Sequence, residues 1–198
     1  MTGPGRLTGE LSAQTRRLVY GELTPADLQA ELRYLTRIDQ AHLVMLAARR
    51  LVPEPAARAL LEGIQRLRAE DYRPLFGRPA PRGIYLMYEA YLSELLGPEV
   101  GGVLHTGRSR NDLKATISAL RLRDWLLDCF REATRLEAVL LSRARAHRRV
   151  LMPVYTHYQA AMPISYGYYL LGVARALGRD LDALRSAAEG LLVCPLGA

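Results

Sequence analysis

Lysine is almost missing. The 198 residues hold one, Lys114, so the net charge of +7 rests on arginine. Such a surplus suits anionic partners, either small polycarboxylates or nucleic acid. The arginines are spread along predicted helices and form no compact basic run, so no nucleic-acid partner is expected. Cysteine is also scarce. Cys129 and Cys194 lie far apart and match no metal-ligand spacing, and Cys129, in the middle of a predicted helix, reads as a core thiol. HExxH, CxxC, GxGxxG and P-loop strings are all missing, which leaves metal, nucleotide and nicotinamide sites without a sequence signal. The first 20 residues have no apolar segment of the secretory kind and no later run is long enough to span a bilayer. The expectation is a cytoplasmic protein with no membrane partner. No internal repeat and no alternating pattern of strand length are found.

What is present is helical. Hydrophobic residues make up 49% of the chain, enough for a buried core. A short helical piece is predicted near Ser12 to Tyr20. Thr24-Pro25-Ala26-Asp27 opens the next helix, with an N-cap, a proline at the first position and an acid in the first turn. Leu28, Leu32, Leu35, Ile38, His42 and Met45 then mark one apolar face, where His42 reads as a core or capping histidine. Pro53 starts another helix, 74–83 reads as a Pro/Gly-rich loop, and Ile84 to Leu96 is helical again. Between Gly107 and Pro153 there is neither glycine nor proline. A helix from Ser109 to roughly Arg149 would be a rod on the order of 60 Å long. Rods of that length belong to bundles whose partner helices cover the apolar stripe, so oligomerisation is expected. A last helix is predicted from about Ser165 to Leu192.

Two polar knots flank the rod. The first, Leu104 to Asp112, sets arginines, hydroxyls, an amide and a carboxylate around Gly107 at the mouth of a helix, where unpaired N–H groups attract anions. The second, Met152 to Gln159, contains Thr156, His157 and Gln159. Arginine grips a carboxylate in a bidentate fork. Histidine moves protons near neutral pH. Together they suit proton abstraction next to a carboxylate. Each residue also has a plainer reading: Ser109, Asn111 and Thr156 as helix caps, His157 as a loop histidine.

HTGRSRND at 105–112 with MPVYTHYQAAMP at 152–163 resembles argininosuccinate lyase, of the fumarase/aspartase superfamily. DQAHLVML at 39–46 resembles that family's DxAHxxML-type helix, and the terminal CPLGA its PLG(S/A)GA turn. The resemblance covers Leu35 to Ala198, the N-terminal half of a family chain. It implies an all-α fold, with a small N-terminal helical domain (1–104) followed by the first part of a central long-helix bundle (105–198). It also implies a homotetramer with active sites shared among subunits. The implied reaction is elimination of fumarate from an N-substituted aspartate such as argininosuccinate, a step of arginine biosynthesis, without metal or organic cofactor. By motif, His157 and Thr156 would be catalytic, His157 moving the proton, while Ser109, Arg110, Asn111 and Gln159 would bind substrate. Tyr85 joins the substrate-binding set, at the position of a family histidine.

The sequence also departs from the family. Gly83 and Tyr85 replace the acid and histidine of an EDxHxxxE pattern in which Glu89 is kept, and Leu113, Ala160 and Met162 replace polar family residues. These changes point to a paralogue with another succinyl or amino-acid substrate; a catalytically inactive subunit of the same fold is the alternative. The family's flexible loop with its serine and lysine is not among the 198 residues, so this chain alone is expected to be inactive.

Overall fold

The computed structural model describes residues 12–20 and 24–195, without the side chains of 13, 16 and 20. They divide into two compact units, one running to Ile117 and one from Ser118 to Cys194.

The first unit begins with α1 (Ala13–Tyr20) and α2 (Pro25–Ala48). Thr24 and Asp27 form a capping box at the head of α2: the Thr24 hydroxyl accepts from the Asp27 amide at 3.2 Å, and the Asp27 carboxylate accepts from the Thr24 amide at 3.3 Å. α3 (Glu54–Ala69) follows Pro53, and α4 (Ile84–Leu96) starts after Gly83, whose φ of 94° only glycine adopts freely. A short α5 (Pro98–Gly101) and a 3₁₀ turn (Gly102–His105) lead into α6 (Arg110–Ala146). Leu32 and Leu35 of α2, Leu60 and Ile64 of α3 and Tyr88 and Leu92 of α4 are fully buried together. Each large side chain so buried contributes about 1.5–3 kcal/mol. Leu113 and Ile117, in the first two turns of α6, join the same cluster and fasten the start of the rod to this core. The α2 stripe is turned slightly from its expected face: Leu43 and Leu46 are buried, whereas Met45 is exposed.

α6 is 37 residues long, about 55 Å at the helical rise. In the second unit it is followed by β1 (Leu151–Thr156), β2 (Gln159–Ser165), α7 (Tyr166–Glu189) and a 3₁₀ turn to Leu192. The two strands correct the expectation of none. They pair antiparallel, with Met152 opposite Ile164 and Pro153 opposite Pro163. No alternation betrays them because most of their residues are exposed on both faces. A two-stranded ribbon consists only of edges, where proline is tolerated. Ser165 then caps α7, accepting from the Tyr168 amide at 3.0 Å. The second correction is Cys129, which is exposed on α6, because nothing in this unit covers that face of the rod. Trp125 at 68% exposure and Leu127 at 62% share that condition. Among the described residues no helix is long and apolar enough to cross a membrane.

α6 and α7 approach closely at Gly167. A Cβ there would lie 2.4 Å from the Ala144 carbonyl oxygen and 2.7 Å from the Arg148 Cα. Backbone cannot yield as a flexible side chain does, so Gly167→Ala is expected to destabilise the protein by about 1–3 kcal/mol, as overpacking does. Urea unfolding of the two proteins measures it.

Candidate active site

The first knot is held down at successive positions by the core of the first unit. His42 of α2, buried as the periodicity implied, donates its Nε2–H to the Thr106 carbonyl at 2.8 Å. Tyr85 of α4 hydrogen-bonds His105 Nδ1 at 2.8 Å through its hydroxyl. Arg108 forms an ion pair with Asp39 of α2, and both side chains are out of solvent, at 1% and 0% exposure. Arg108 therefore braces the loop from within and is not available to a ligand. Among the described residues Asp39 Oδ2 and Arg108 Nε and Nη1 have no hydrogen-bond partner; the pair meets through Arg108 Nη2 and Asp39 Oδ1, and Nη2 also donates to the Leu104 carbonyl at 3.4 Å. Burial works against both charges. It pushes the Asp39 carboxyl up from its ordinary range, against the pull of Arg108. Burial likewise opposes the Arg108 guanidinium, but the Asp39 charge more than offsets it and keeps the arginine ionised.

With the loop so anchored, Ser109 caps α6: its hydroxyl accepts from the Asn111 and Asp112 amides at 3.1 and 3.4 Å, and its own amide donates to the Asp112 carboxylate at 2.7 Å. The capping reading of Ser109 is thus realised. Arg110 and Asn111 project outward, exposed. They line a cavity of about 360 Å³ together with Tyr85, Gly83, Arg82 and Lys114, within the range of about 300–1,000 Å³ typical of small-molecule sites. Burial, with the Asp39 and Glu89 charges, raises the Tyr85 phenol well above its ordinary value, so Tyr85 keeps its proton in the hydrogen bond with His105. Glu89, half-buried below, is pushed up by burial and by the Asp39 charge, with Arg108 and Arg110 pulling the other way.

The two histidines of this loop give a pH dependence. Burial, with the nearby Arg108 charge, lowers both His42 and His105 below the ordinary imidazole value. A folded-state pKa below the unfolded value of about 6.5 means that the unfolded chain binds more protons as pH falls through that value. Stability is therefore expected to drop as pH is lowered from 7.5 to 5.5, and His42→Gln should flatten part of that loss. Denaturation midpoints across this range check it.

In the second unit, Thr156, His157, Tyr158 and Gln159 are the tip of the β1–β2 hairpin, with Thr156 paired to Gln159. The two central residues have φ of 49° and 63°, the left-handed geometry of a two-residue type I′ turn. Such turns favour Asn-Gly; a bulky residue at positive φ costs of order 1 kcal/mol or more. His157 is exposed, and Tyr158 is 97% exposed. Strain of this kind concentrates at functional sites. Replacing His157-Tyr158 by Asn-Gly is expected to stabilise the protein by about 1 kcal/mol, measured by thermal unfolding. A register shift after Val154 bends the ribbon just before its tip.

The structure thus brings Tyr85, Arg110 and Asn111 together, with Ser109 at the helix start beside them, and groups Thr156, His157 and Gln159 on the hairpin tip. Sequence reading missed the bracing set, Asp39, Arg108 and His105. The signal was present: Asp39 stands four residues after Leu35 on an apolar stripe, and a buried carboxylate requires a cation.

The chain matches the family model described as lyase over residues 45–198. It is 33% identical to argininosuccinate lyase 1 of Shouchella clausii (strain KSM-K16) over 193 residues, 98% of this chain and 39% of the relative. It is 41% identical to the argininosuccinate lyase of Synechococcus sp. (strain CC9605) over 160 residues, 80% of this chain and 34% of the relative. Among solved structures, a variant of EDDS lyase with bound fumarate is similar at a TM-score of 0.76 and 30% identity, over 96% of this chain and 37% of its own. The chain spans 39% or less of these proteins.

Proposed function

The chain belongs to the lyase family, as an argininosuccinate lyase-like member of the fumarase/aspartase superfamily, and from that premise we propose that it supplies part of an enzyme that eliminates fumarate from an N-substituted aspartate. One observation carries the reading: Arg110, Asn111 and Tyr85 line a single small-molecule cavity at the start of α6, and the buried Asp39–Arg108 pair fixes the loop that presents them.

Arg110 and Asn111 grip the substrate carboxylates, Arg110 as a charge-assisted fork. Thr156 and Gln159 hold the substrate from the hairpin, and His157 is the proton-transfer residue. In the elimination a base removes the Cβ proton and the negative charge spreads into the adjacent carboxylate. The C–N bond then breaks, its electron pair leaves with the nitrogen, and that nitrogen takes up a proton. The two knots act together when chains associate as a homotetramer, which would also cover apolar residues that α6 leaves exposed, among them Trp125 and Leu127.

Argininosuccinate itself is expected to be a poor substrate. Gly83 and Tyr85 stand where a carboxylate and an imidazole would meet it, and a site lacking matched polar partners loses specificity steeply. Assays of the full-length protein by fumarate absorbance test both statements. Fumarate release from an N-substituted aspartate is expected, with kcat/KM for argininosuccinate below about 10⁴ M⁻¹s⁻¹. Release from no such compound contradicts the reading.

A further inference from the structure

We propose that Tyr85 reads the substrate nitrogen as a hydrogen-bond donor, and that His105 sets this polarity by holding the phenol's own proton. The inference rests on the lyase reading and adds to it a specificity-determining residue, Tyr85, and a positioning residue, His105.

Tyr85 stands in the first turn of α4 and lines the cavity shared with Arg110 and Asn111. His105 ends the 3₁₀ turn that leads into the first knot and lies outside the cavity lining. The two rings are 5.2 Å apart, and the phenol oxygen lies 2.8 Å from His105 Nδ1. Either group could donate at that distance, and chemistry decides between them. Burial, with the Arg108, Arg110 and His42 charges, lowers His105 below the ordinary imidazole value, against the pull of Asp112. The imidazole is therefore uncharged near neutral pH, with one ring nitrogen free to accept. A neutral imidazole nitrogen is a better acceptor than a phenol oxygen, and a phenol a better donor than a neutral imidazole N–H. The phenol proton accordingly lies toward Nδ1. The Arg108 charge works in the same direction, since it favours negative density on the phenol oxygen.

A phenol whose proton is committed in this way offers the cavity only lone pairs. An aspartyl N–H can donate to it, whereas an ether oxygen at the same position would set lone pair against lone pair. A tyrosine free of His105 would turn its hydroxyl to suit either kind of group, so the selection depends on the histidine. The substrates selected are compounds with an N–H beside the succinyl carboxylate.

Calorimetry of the full-length protein with L-aspartate and with (S)-methoxysuccinate tests this. The second probe puts an ether oxygen, an acceptor without a proton, where aspartate has its nitrogen. Tyr85→Phe keeps the ring and removes no charge, so attraction or repulsion of the ammonium by Glu31, Arg82 and Lys114 cancels when the two proteins are compared. The aspartate-to-methoxysuccinate affinity ratio is expected to fall about tenfold in Tyr85→Phe, the loss of one hydrogen bond to a charged group. His105→Leu should also lower the ratio, because the freed hydroxyl can donate to the ether. His105→Asn should restore most of it, since the amide oxygen can take the phenol proton; a packing role alone would favour leucine over asparagine. A ratio unchanged in Tyr85→Phe, or one that His105→Leu leaves intact, overturns the proposal. Failure of the lyase reading shows separately: the ratios shift as expected while no N-substituted aspartate yields fumarate.

Discussion

Asp39→Ala is expected to cost about 3–5 kcal/mol of stability. The carboxylate and its partner Arg108 are removed from solvent, at 0% and 1% side-chain exposure. Deleting the acid leaves a buried guanidinium without this counter-charge, and two of its nitrogens already have no partner among the described residues. The cost is therefore mostly the desolvated charge left behind, not the value of one contact. A double substitution, Asp39→Leu with Arg108→Met, separates the two. It removes both charges at similar volume and is expected to recover most of the loss, since buried pairs replaced by apolar residues are often neutral in stability. If the double variant is as unstable as Asp39→Ala, the effect lies in packing and not in the orphaned charge. Urea unfolding of the three proteins decides. Asp39 and Arg108 are positioning residues: they set where α6 begins and so where Arg110 and Asn111 project.

His157→Asn in the full-length protein is expected to reduce kcat by about 10²–10⁴, the usual contribution of a positioned acid–base group, with little change in the binding of succinate. Asparagine is the informative replacement. It tolerates the left-handed backbone that His157 occupies at φ 49°, so the hairpin survives and only the imidazole is lost. A loss of binding as large as the loss of turnover would assign His157 to carboxylate recognition instead. No loss of either would remove it from the mechanism.

Much of the first unit can be read from the chain. The capping box at Thr24 and Asp27, the loop before Gly83 and the span of α4 all follow from local chemistry, because caps, proline and glycine act within a few residues. The hairpin at 151–165 cannot be read that way. Strand prediction relies on one buried face, and both faces of β1 and β2 are largely open. Cys129 misleads for a related reason: its place in an apolar helix suggests a core, but the face it occupies is uncovered in a single chain. At the site, the motif residues Arg110 and Asn111 stand where the sequence suggests, at the mouth of α6. The bracing of that loop is the part composition hides, since a buried ion pair between residues 69 positions apart is a tertiary fact. Even so, an acid on an apolar stripe is a sequence-level prompt to look for its cation.

In the proposed elimination the two knots remove a proton from Cβ of a succinyl compound while a C–N bond breaks. Proton NMR of the full-length protein with fumarate and a series of amines in D₂O reads this in the reverse, addition direction. An N-substituted aspartate carrying one deuterium at Cβ is expected, formed stereospecifically by the unmodified protein and no longer formed at a measurable rate by His157→Asn. Unchanged fumarate with every amine offered, or an adduct formed equally well without His157, would contradict it.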